Sequence, residues 1–352
     1  MTQLERFVSN FPEGVDAGLV ISYPARYYFT KVSTSNGILI ITKEQSYFLT
    51  DGRYIELCRN NMKGCEVILM EDIPSQVRAI LQKHNVKTVG CEVNSLTYTE
   101  FMRYKEMVAP AVLSDSTAFV DAIDDQRSVK TADEIACLEK AQNLTDEAFQ
   151  YILTKIEPGR TEREIALDLE WYVRTHGIDR IAFGFIVVSG KNSSLPHGVP
   201  SNKPIEKGDF LTIDFGVMVD GHPSDMTRTV GIGHVSEKQK EVYNTVLKAQ
   251  LAAFDVIKPG VICKDVDKAA RDVITAAGYG PYFGHGLGHG LSIHKPMFNK
   301  TCEIPLQPGM ALSVEPGIYL PGEFGVRIED IMVCTEDGYY DFTKTPKELL
   351  IL

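Results

Sequence analysis

The sequence predicts an α+β protein in two domains: a small α/β layer over residues 1–125, then a larger domain over 126–352 that repeats a unit of two helices and antiparallel strands. Three observations carry this. Short apolar runs alternate with helical stretches in the first 125 residues. Beyond residue 130, landmarks recur at a single spacing. Finally, Leu211 to Val230, LTIDFGVMVDGHPSDMTRTV, reads as a hairpin with two carboxylates on one face.

In the first domain, Gly37 to Thr42, Ser46 to Thr50, Cys65 to Met70 and Thr88 to Cys91 have the apolar, β-branched character of strands. Ile73 to His84 and Thr99 to Met107 read as helices. Nothing here has ligand spacing or a phosphate loop, and Asp51-Gly52-Arg53-Tyr54 is a turn after a strand. Periodicity fades from Ser114 to Ser128, which places the boundary near residue 125.

From Thr131 the period becomes helical. Thr131 with Glu134 forms a capping box, and Leu138, Ala141, Ala148, Ile152 and Ile156 mark one apolar face of a long helix. Pro158-Gly159 ends it, and Thr161 with Glu164 caps a second helix that stops at Gly177. Ser236 with Gln239 opens a third, Pro259-Gly260 ends that one, and a fourth stops at Gly278. The pairs Pro158/Pro259, Gly177/Gly278, Pro204/Pro305, Gly208/Gly309 and Asp214/Glu315 are all 101 positions apart, with DFGV at 214 matched by EPGI at 315. One register held across helices and strands implies two copies about a pseudo-twofold axis, whose midline receives the same residue from each half.

Asp220-Gly221 between apolar runs signals a type I′ turn, whose two central residues need positive φ. Such a loop pairs Val219 with His222, Val217 with Ser224 and Gly216 with Asp225. Asp214 and Asp225 then share a face as diagonal neighbours, at most roughly 7–8 Å apart. In the second copy, Ala311 to Leu320 and Gly325 to Val333 read as strands joined through Pro321-Gly322-Glu323, and symmetry about Gly322 sets Glu315 opposite Glu329. Opposed like charges destabilise a sheet unless a cation lies between them. Between the copies runs PYFGHGLGHGLSIHK. In an extended chain Gly284, Gly286, Gly288 and Gly290 share one face, while His285, Leu287 and His289 share the other. Four acids and one imidazole without a thiolate suit Mn²⁺, Co²⁺, Fe²⁺ or Zn²⁺, and suffice for two ions if carboxylates bridge.

Composition narrows the partners. At 352 residues, 44% hydrophobic and 24% charged, the chain fits a globular protein of two cores. A net charge of −11 without a basic face argues against nucleic acid or anionic membrane as partner. No apolar run approaches the roughly 18 residues of a membrane span. MTQLERFVSN lacks the apolar core of a signal peptide. Cys58, Cys65, Cys91, Cys137, Cys263, Cys302 and Cys334 are scattered without a CxxC pair, the pattern of reduced thiols in a cytoplasmic protein.

Taken together, LPHGVP at 195–200, IDFG at 213–216, SDMTRT at 224–229, GHG at 288–290, EPGIY at 315–319 and GVRIED at 325–330 resemble the motifs of the pita-bread metallopeptidases. Within that family the likeness is to the Xaa-Pro peptidases, Xaa-Pro aminopeptidase and Xaa-Pro dipeptidase (prolidase), and it runs from DGRY at 51 to KTPKELLIL at the end. The resemblance implies a pita-bread (creatinase/aminopeptidase) domain over 126–352 behind a creatinase-like domain. It implies that Asp214, Asp225, His289, Glu315 and Glu329 bind two divalent ions, Mn²⁺ foremost, with Asp225 and Glu329 bridging. It places His197, His285, His294 and Arg327 around the substrate and implies a homodimer acting on proline-containing peptides or dipeptides. Three positions depart from the family pattern. His294 follows His289 by five positions where the family has seven, with Lys295 in place of an acid; His222 stands where Tyr is usual, and Gly184 where an acid is usual.

The resemblance implies that hydroxide held between the two ions attacks the carbonyl before proline, with the oxyanion met by His285 or His294. Glu315 moves the proton to the leaving nitrogen. Proline lacks an N–H, so a pocket must recognise its ring, and His197 in its Pro-flanked loop is placed to close over it. Arg327 either pairs with a substrate carboxylate or supports a neighbouring acid. The compact amino-terminal domain favours the aminopeptidase over the dipeptidase. Non-catalytic binding members of the fold lack some ligands, creatine-cleaving members lack the metal-binding acids, and methionine aminopeptidase lacks the leading domain. Each fits this chain less well.

Overall fold

The computed structural model describes residues 2–291 and 296–352, and the chain divides into two compact units, Met1–Arg127 and Ser128–Leu352. The first holds α1 (Gln3–Ser9), β1 (Ala17–Val20), α2 (Tyr23–Thr30), β2 (Ile38–Thr42), β3 (Ser46–Thr50), α3 (Ile55–Asn61), β4 (Cys65–Leu69), α4 (Ile73–Lys83), β5 (Thr88–Cys91), α5 (Tyr98–Val108) and β6 (Val112–Leu113), with α6 (Ala118–Ser128) at its end. The strands form one sheet in the order β4-β3-β2-β1-β5-β6. Alternate residues face opposite sides: Leu39 and Ile41 pack with Leu4, Phe7 and Phe29, while Ile38 and Ile40 pack with Val77, Leu81 and Tyr104. Helices cover both faces, so β2 is buried along its whole length.

Strands β2 to β5 and helices α4 and α5 lie where the sequence predicts them. Helix α6, by contrast, fills the stretch whose periodicity fades. It is anchored by Phe119, whose ring lies so close to β1 and β5 that a Cβ on Gly18 would come within 1.9 Å of it and one on Gly90 within 2.8 Å. That signal is divided between one aromatic and two distant glycines, and no local period reports it.

The second unit opens with α7 (Ala132–Leu153) and α8 (Glu162–Thr175), then β7 (Arg180–Ile181), β8 (Ile186–Ser189), β9 (Phe210–Phe215), β10 (Val217–Val219), β11 (His222–Pro223) and β12 (Met226–Gly231). The second copy runs α9 (Glu237–Val256), α10 (Cys263–Ala276), β13 (Gly288–His289), β14 (Pro296–Phe298), β15 (Ala311–Val314), β16 (Gly317–Leu320), β17 (Phe324–Arg327) and β18 (Asp330–Cys334), followed by β19 (Tyr339–Asp341). Capping boxes form at Thr131, Thr161 and Ser236. The repeat reaches individual hydrogen bonds: Gly159 N donates to Ile205 O as Gly260 N does to Leu306 O, each at 2.8 Å. Ser189 faces Leu211 in one half as Gly290 faces Leu312 in the other. Gly177 and Gly278, which end α8 and α10, have φ of 84° and 88°, a region that L side chains avoid.

The strands depart from expectation at the joints. Ala311 to Leu320 is not one strand, because Glu315 and Pro316 separate β15 from β16, and Ile328 with Glu329 separate β17 from β18. Gly216, and Ser224 with Asp225 across from it, interrupt the first hairpin likewise. Register carries through nonetheless. Val219 pairs with His222 and Phe215 with Met226; Gly317 pairs with Arg327 and Val314 with Asp330. Asp225, Glu315 and Glu329 therefore sit where a strand leaves one sheet for the next.

The two copies meet at a bridge between Thr227 and Glu329. Arg228, 2% exposed, secures it from behind. One terminal nitrogen donates to Thr227 O at 2.9 Å and Glu329 O at 2.7 Å; the other donates to Asp330 Oδ1 and Thr345 O, both at 2.7 Å. Arg228→Met would leave those buried acceptors short of donors, and a loss of about 3 kcal/mol is expected. Chemical denaturation checks this, and a loss below about 1 kcal/mol would show the clamp to be dispensable.

Candidate metal centre

Asp225, His289 and Glu329 each bring one ligand atom into a cluster whose atoms lie within 4.8 Å of one another. His289 Nε2 is 3.4 Å from Asp225 Oδ2 and 3.6 Å from Glu315 Oε1. Its Nδ1 lies 3.3 Å from the Gly290 carbonyl, which can only accept, so Nδ1 carries hydrogen and Nε2 faces the acids. The histidine can sit there because Gly288 has no side chain: a Cβ would come within 2.0 Å of Ser313 O. Ser313 Oγ then accepts from the His289 N–H at 3.0 Å and donates to Glu315 Oε1 at 3.1 Å.

Asp214 is placed differently. Its Oδ2 is ion-paired with Arg327, while Oδ1 is buried with no hydrogen-bond partner among the described residues. Arg327 Nε donates to Thr227 Oγ1 at 3.0 Å, and that hydroxyl donates to Glu329 Oε2 at 2.7 Å. The remaining Arg327 nitrogen donates to Tyr319 Oη at 2.9 Å and to Pro196 O at 3.2 Å.

Concentrated charge shifts the titrations. Burial, then the charge of Asp214, pushes Asp225 up to about 6 against the pull of His289. Burial likewise pushes Glu315 up to about 7, and burial with Asp225, Glu315 and Asp214 raises Glu329 further. Burial works against a proton on His289, but Asp225 and Glu315 outweigh it and raise the imidazole to about 9. An orphaned acid oxygen and carboxylates that retain protons because of one another fit a divalent cation, which would satisfy both.

Two residues expected around the substrate have their polar atoms engaged within the protein. Arg327 is 4% exposed with its fork committed to Asp214, Thr227, Tyr319 and Pro196, the arrangement of the second role open to it, support of a neighbouring acid. His285 Nδ1 donates to Gly286 O at 2.7 Å, and its Nε2 accepts from Tyr319 Oη at 2.9 Å, leaving no N–H for an oxyanion. Burial, with Arg327, His197 and Arg271 nearby, pushes this imidazole down to about 4, which matches the neutral tautomer. Tyr319 and Thr227 were not singled out from the sequence. The available signal was period two, since Tyr319 shares a strand face with Glu315 and Thr227 with Asp225. His197 is exposed, next to the Pro196 carbonyl that Arg327 holds. His222 is buried opposite Val219, and His294 lies outside the described residues.

Residues 136–336 match the model of metallopeptidase family M24, and residues 12–129 match that of the creatinase/prolidase N-terminal domain. The chain is similar to an Xaa-Pro dipeptidase of Pyrococcus furiosus, 37% identical over 99% of each chain. Among solved structures it is similar to an Xaa-Pro dipeptidase from Bacillus anthracis, with a TM-score of 0.93 and 39% identity over 99% of each chain. It is also similar to an X-Pro aminopeptidase from Thermotoga maritima, with a TM-score of 0.89 and 32% identity over 99% of this chain and 100% of that one.

The shifts give the metal-free protein a signed pH dependence. Asp225 and Glu315 rise on folding from 3.8 to about 6 and from 4.5 to about 7, so the folded state keeps protons that the unfolded chain has lost. Their contribution to stability therefore falls as pH rises through that window. His289, raised from 6.5 to about 9, contributes stability that is full below 6.5 and lost as pH passes 9. His285, pushed down from 6.5 to about 4, acts the other way between those values, where the unfolded chain binds a proton that the folded state does not. The Tm of metal-stripped protein is therefore expected to fall as pH rises from 6.5 to about 9, where only raised groups titrate, with Mn²⁺ raising it most at the alkaline end. A flat or rising Tm for the stripped protein would contradict this.

Proposed function

The chain belongs to metallopeptidase family M24, among its pita-bread Xaa-Pro peptidases, and we propose that it is a dinuclear, Mn²⁺-dependent Xaa-Pro dipeptidase. The observation carrying the proposal is the convergence of Asp225, His289, Glu329 and Glu315, with Asp214 Oδ1 left unpaired. The amino-terminal domain, which favoured the aminopeptidase in the sequence, does not discriminate. Its matching family model is named for creatinase and prolidase alike, and the two similar dipeptidases are matched along nearly their whole length. The Thermotoga likeness keeps the aminopeptidase as the second reading.

In this reading Asp214, Asp225, His289, Glu315 and Glu329 would hold two cations. Bound cations supply an acidified water and a Lewis acid for the scissile carbonyl. Glu315 takes a proton from the attacking water and delivers it to the proline nitrogen, which has none of its own in the peptide. Arg327 holds Asp214 in place, and Tyr319 joins it to His285. His197 meets the substrate from its loop, with His294 a further candidate for that pocket. The enzyme acts as a cytoplasmic homodimer.

Hydrolysis of Gly-Pro and Gly-Pro-Gly-Gly, measured after metal stripping and again with Mn²⁺ restored, tests the assignment. Cleavage of the dipeptide alone is expected, and only with metal. Cleavage of the tetrapeptide would favour the aminopeptidase, and cleavage of neither with any divalent metal would overturn both readings. Asp225→Asn is expected to lower both Mn²⁺ affinity and kcat at least about 100-fold, so unchanged stoichiometric Mn²⁺ binding would remove Asp225 from the ligand set.

A further inference from the structure

Glu162 is a carboxylate with no exposed surface and no part in the chemistry above. It is the first residue of α8, yet the helix start does not need it, because Thr161 caps the terminus and Glu164 closes the box. Its oxygens turn instead toward the segment 189–201. Oε1 accepts from the Ser189 N–H at 2.6 Å, the Ser189 hydroxyl at 3.0 Å and Asn192 Nδ2 at 3.1 Å. Oε2 accepts from the Ser201 N–H at 3.0 Å and the Ser201 hydroxyl at 2.6 Å. One carboxylate thus ties both ends of the segment that carries His197. Between those ends, Ser193 Oγ accepts from the Gly325 N–H at 2.9 Å and Pro196 O accepts from Arg327, leaving the imidazole exposed between fixed points.

Burying a carboxylate is costly, and a carboxylate satisfied by neutral donors persists where its hydrogen bonds are needed. The repeat indicates what needs them. At the equivalent positions, 101 residues on, the second copy has Cys263 for Glu162 and Cys302 for Ser201. The helix-to-loop junction therefore folds without an acid, and the copy that keeps one is the copy that carries His197.

We propose that Glu162 is the positioning residue for His197, fixing through Ser189 and Ser201 where the imidazole meets the substrate. This rests on the dipeptidase reading, in which His197 contacts the substrate. The test is a double-mutant cycle of Glu162→Gln and His197→Ala, read as KM and kcat on Gly-Pro with Mn²⁺, alongside hydrogen–deuterium exchange of the metal-free protein. Glutamine keeps the shape, but its amide nitrogen cannot accept from the serines. Glu162→Gln is expected to speed exchange within 189–201, not in α10 or β15, and to raise KM about tenfold while kcat moves less than about threefold. In the His197→Ala background the same change should cost less than about twofold. Losses that multiply, or unchanged exchange in 189–201, would overturn the proposal. If Glu162→Gln does not fold, Ser201→Ala removes a donor from the loop side and takes its place in the cycle. If the wild-type protein does not cleave Gly-Pro, the dipeptidase reading fails, and exchange alone decides whether Glu162 clamps the loop.

Discussion

Asp214, Asp225, Glu315 and Glu329 are brought together against one guanidinium, Arg327, and one imidazole, His289, and the cost of that charge organises the second unit. Left to themselves, such acids would swing apart or hold protons. The backbone prevents the first: three of them stand at strand joints whose registers are fixed on both sides by ladders. A side chain at a joint is aimed by two sheets at once, which is more rigid than a place on a loop and freer in direction than a place within one sheet. Retained protons, or a cation, are what remain.

The rear of the site is built to the same requirement. Along β12 the residues alternate, so Thr227 and Thr229 share the face turned to Arg327 and Arg228 takes the opposite one. Thr229 Oγ1 donates to Arg327 O at 3.0 Å, and Thr227 Oγ1 accepts from Arg327 and donates to Glu329. Arg228 reaches Asp330, which also accepts from Lys347. Asp214 is thus backed by a guanidinium and Glu329 and Glu315 by hydroxyls, so that their directions do not depend on a bound ion, while Asp225 meets the His289 imidazole. A lysine at 228 could not do this, because the contacts use the planar fork on both sides and the Nε donor at 3.0 Å from Pro346 O.

What was legible in the sequence was what local chemistry encodes. Asp220 and Gly221 adopt φ of 49° and 76°, and the hairpin they close pairs as the turn type demands. The 101-residue repeat could be read because caps and breakers are single residues with steric reasons for their places. The strand joints could not, since side-chain alternation continues across them, and only Pro316, unable to donate to a ladder, hinted at one. The choice between the two roles open to Arg327, and the engagement of His285, were beyond reach for another reason: each turns on partners far away in sequence, Asp214 for the one and Tyr319 for the other. Residue type said that these groups could bind a substrate; only packing says that they are already engaged.

The expectation that the midline receives the same residue from each half holds for one pair and fails for two. Asp214 faces Thr227 as Glu315 faces Glu329, so hairpin register makes Thr227 the counterpart of Glu329 and Asp225 the counterpart of Arg327. Counterparts meet at the axis, which is why Thr227 bridges Glu329. Had both copies kept an acid at each place, six carboxylates would converge with no guanidinium to offset them. Substituting Arg327 and Thr227 lowers that charge and leaves acids contributed by both halves. The same divergence supplies direction. The 101-residue offset sets Gly184 and Met218 where the second copy has His285 and Tyr319, while His197 comes from the first copy alone. A peptide has distinguishable ends and a twofold pocket cannot tell them apart, so under the dipeptidase reading substrate orientation must come from the residues at which the repeat has diverged, and the cation-facing acids can stay close to the original symmetry.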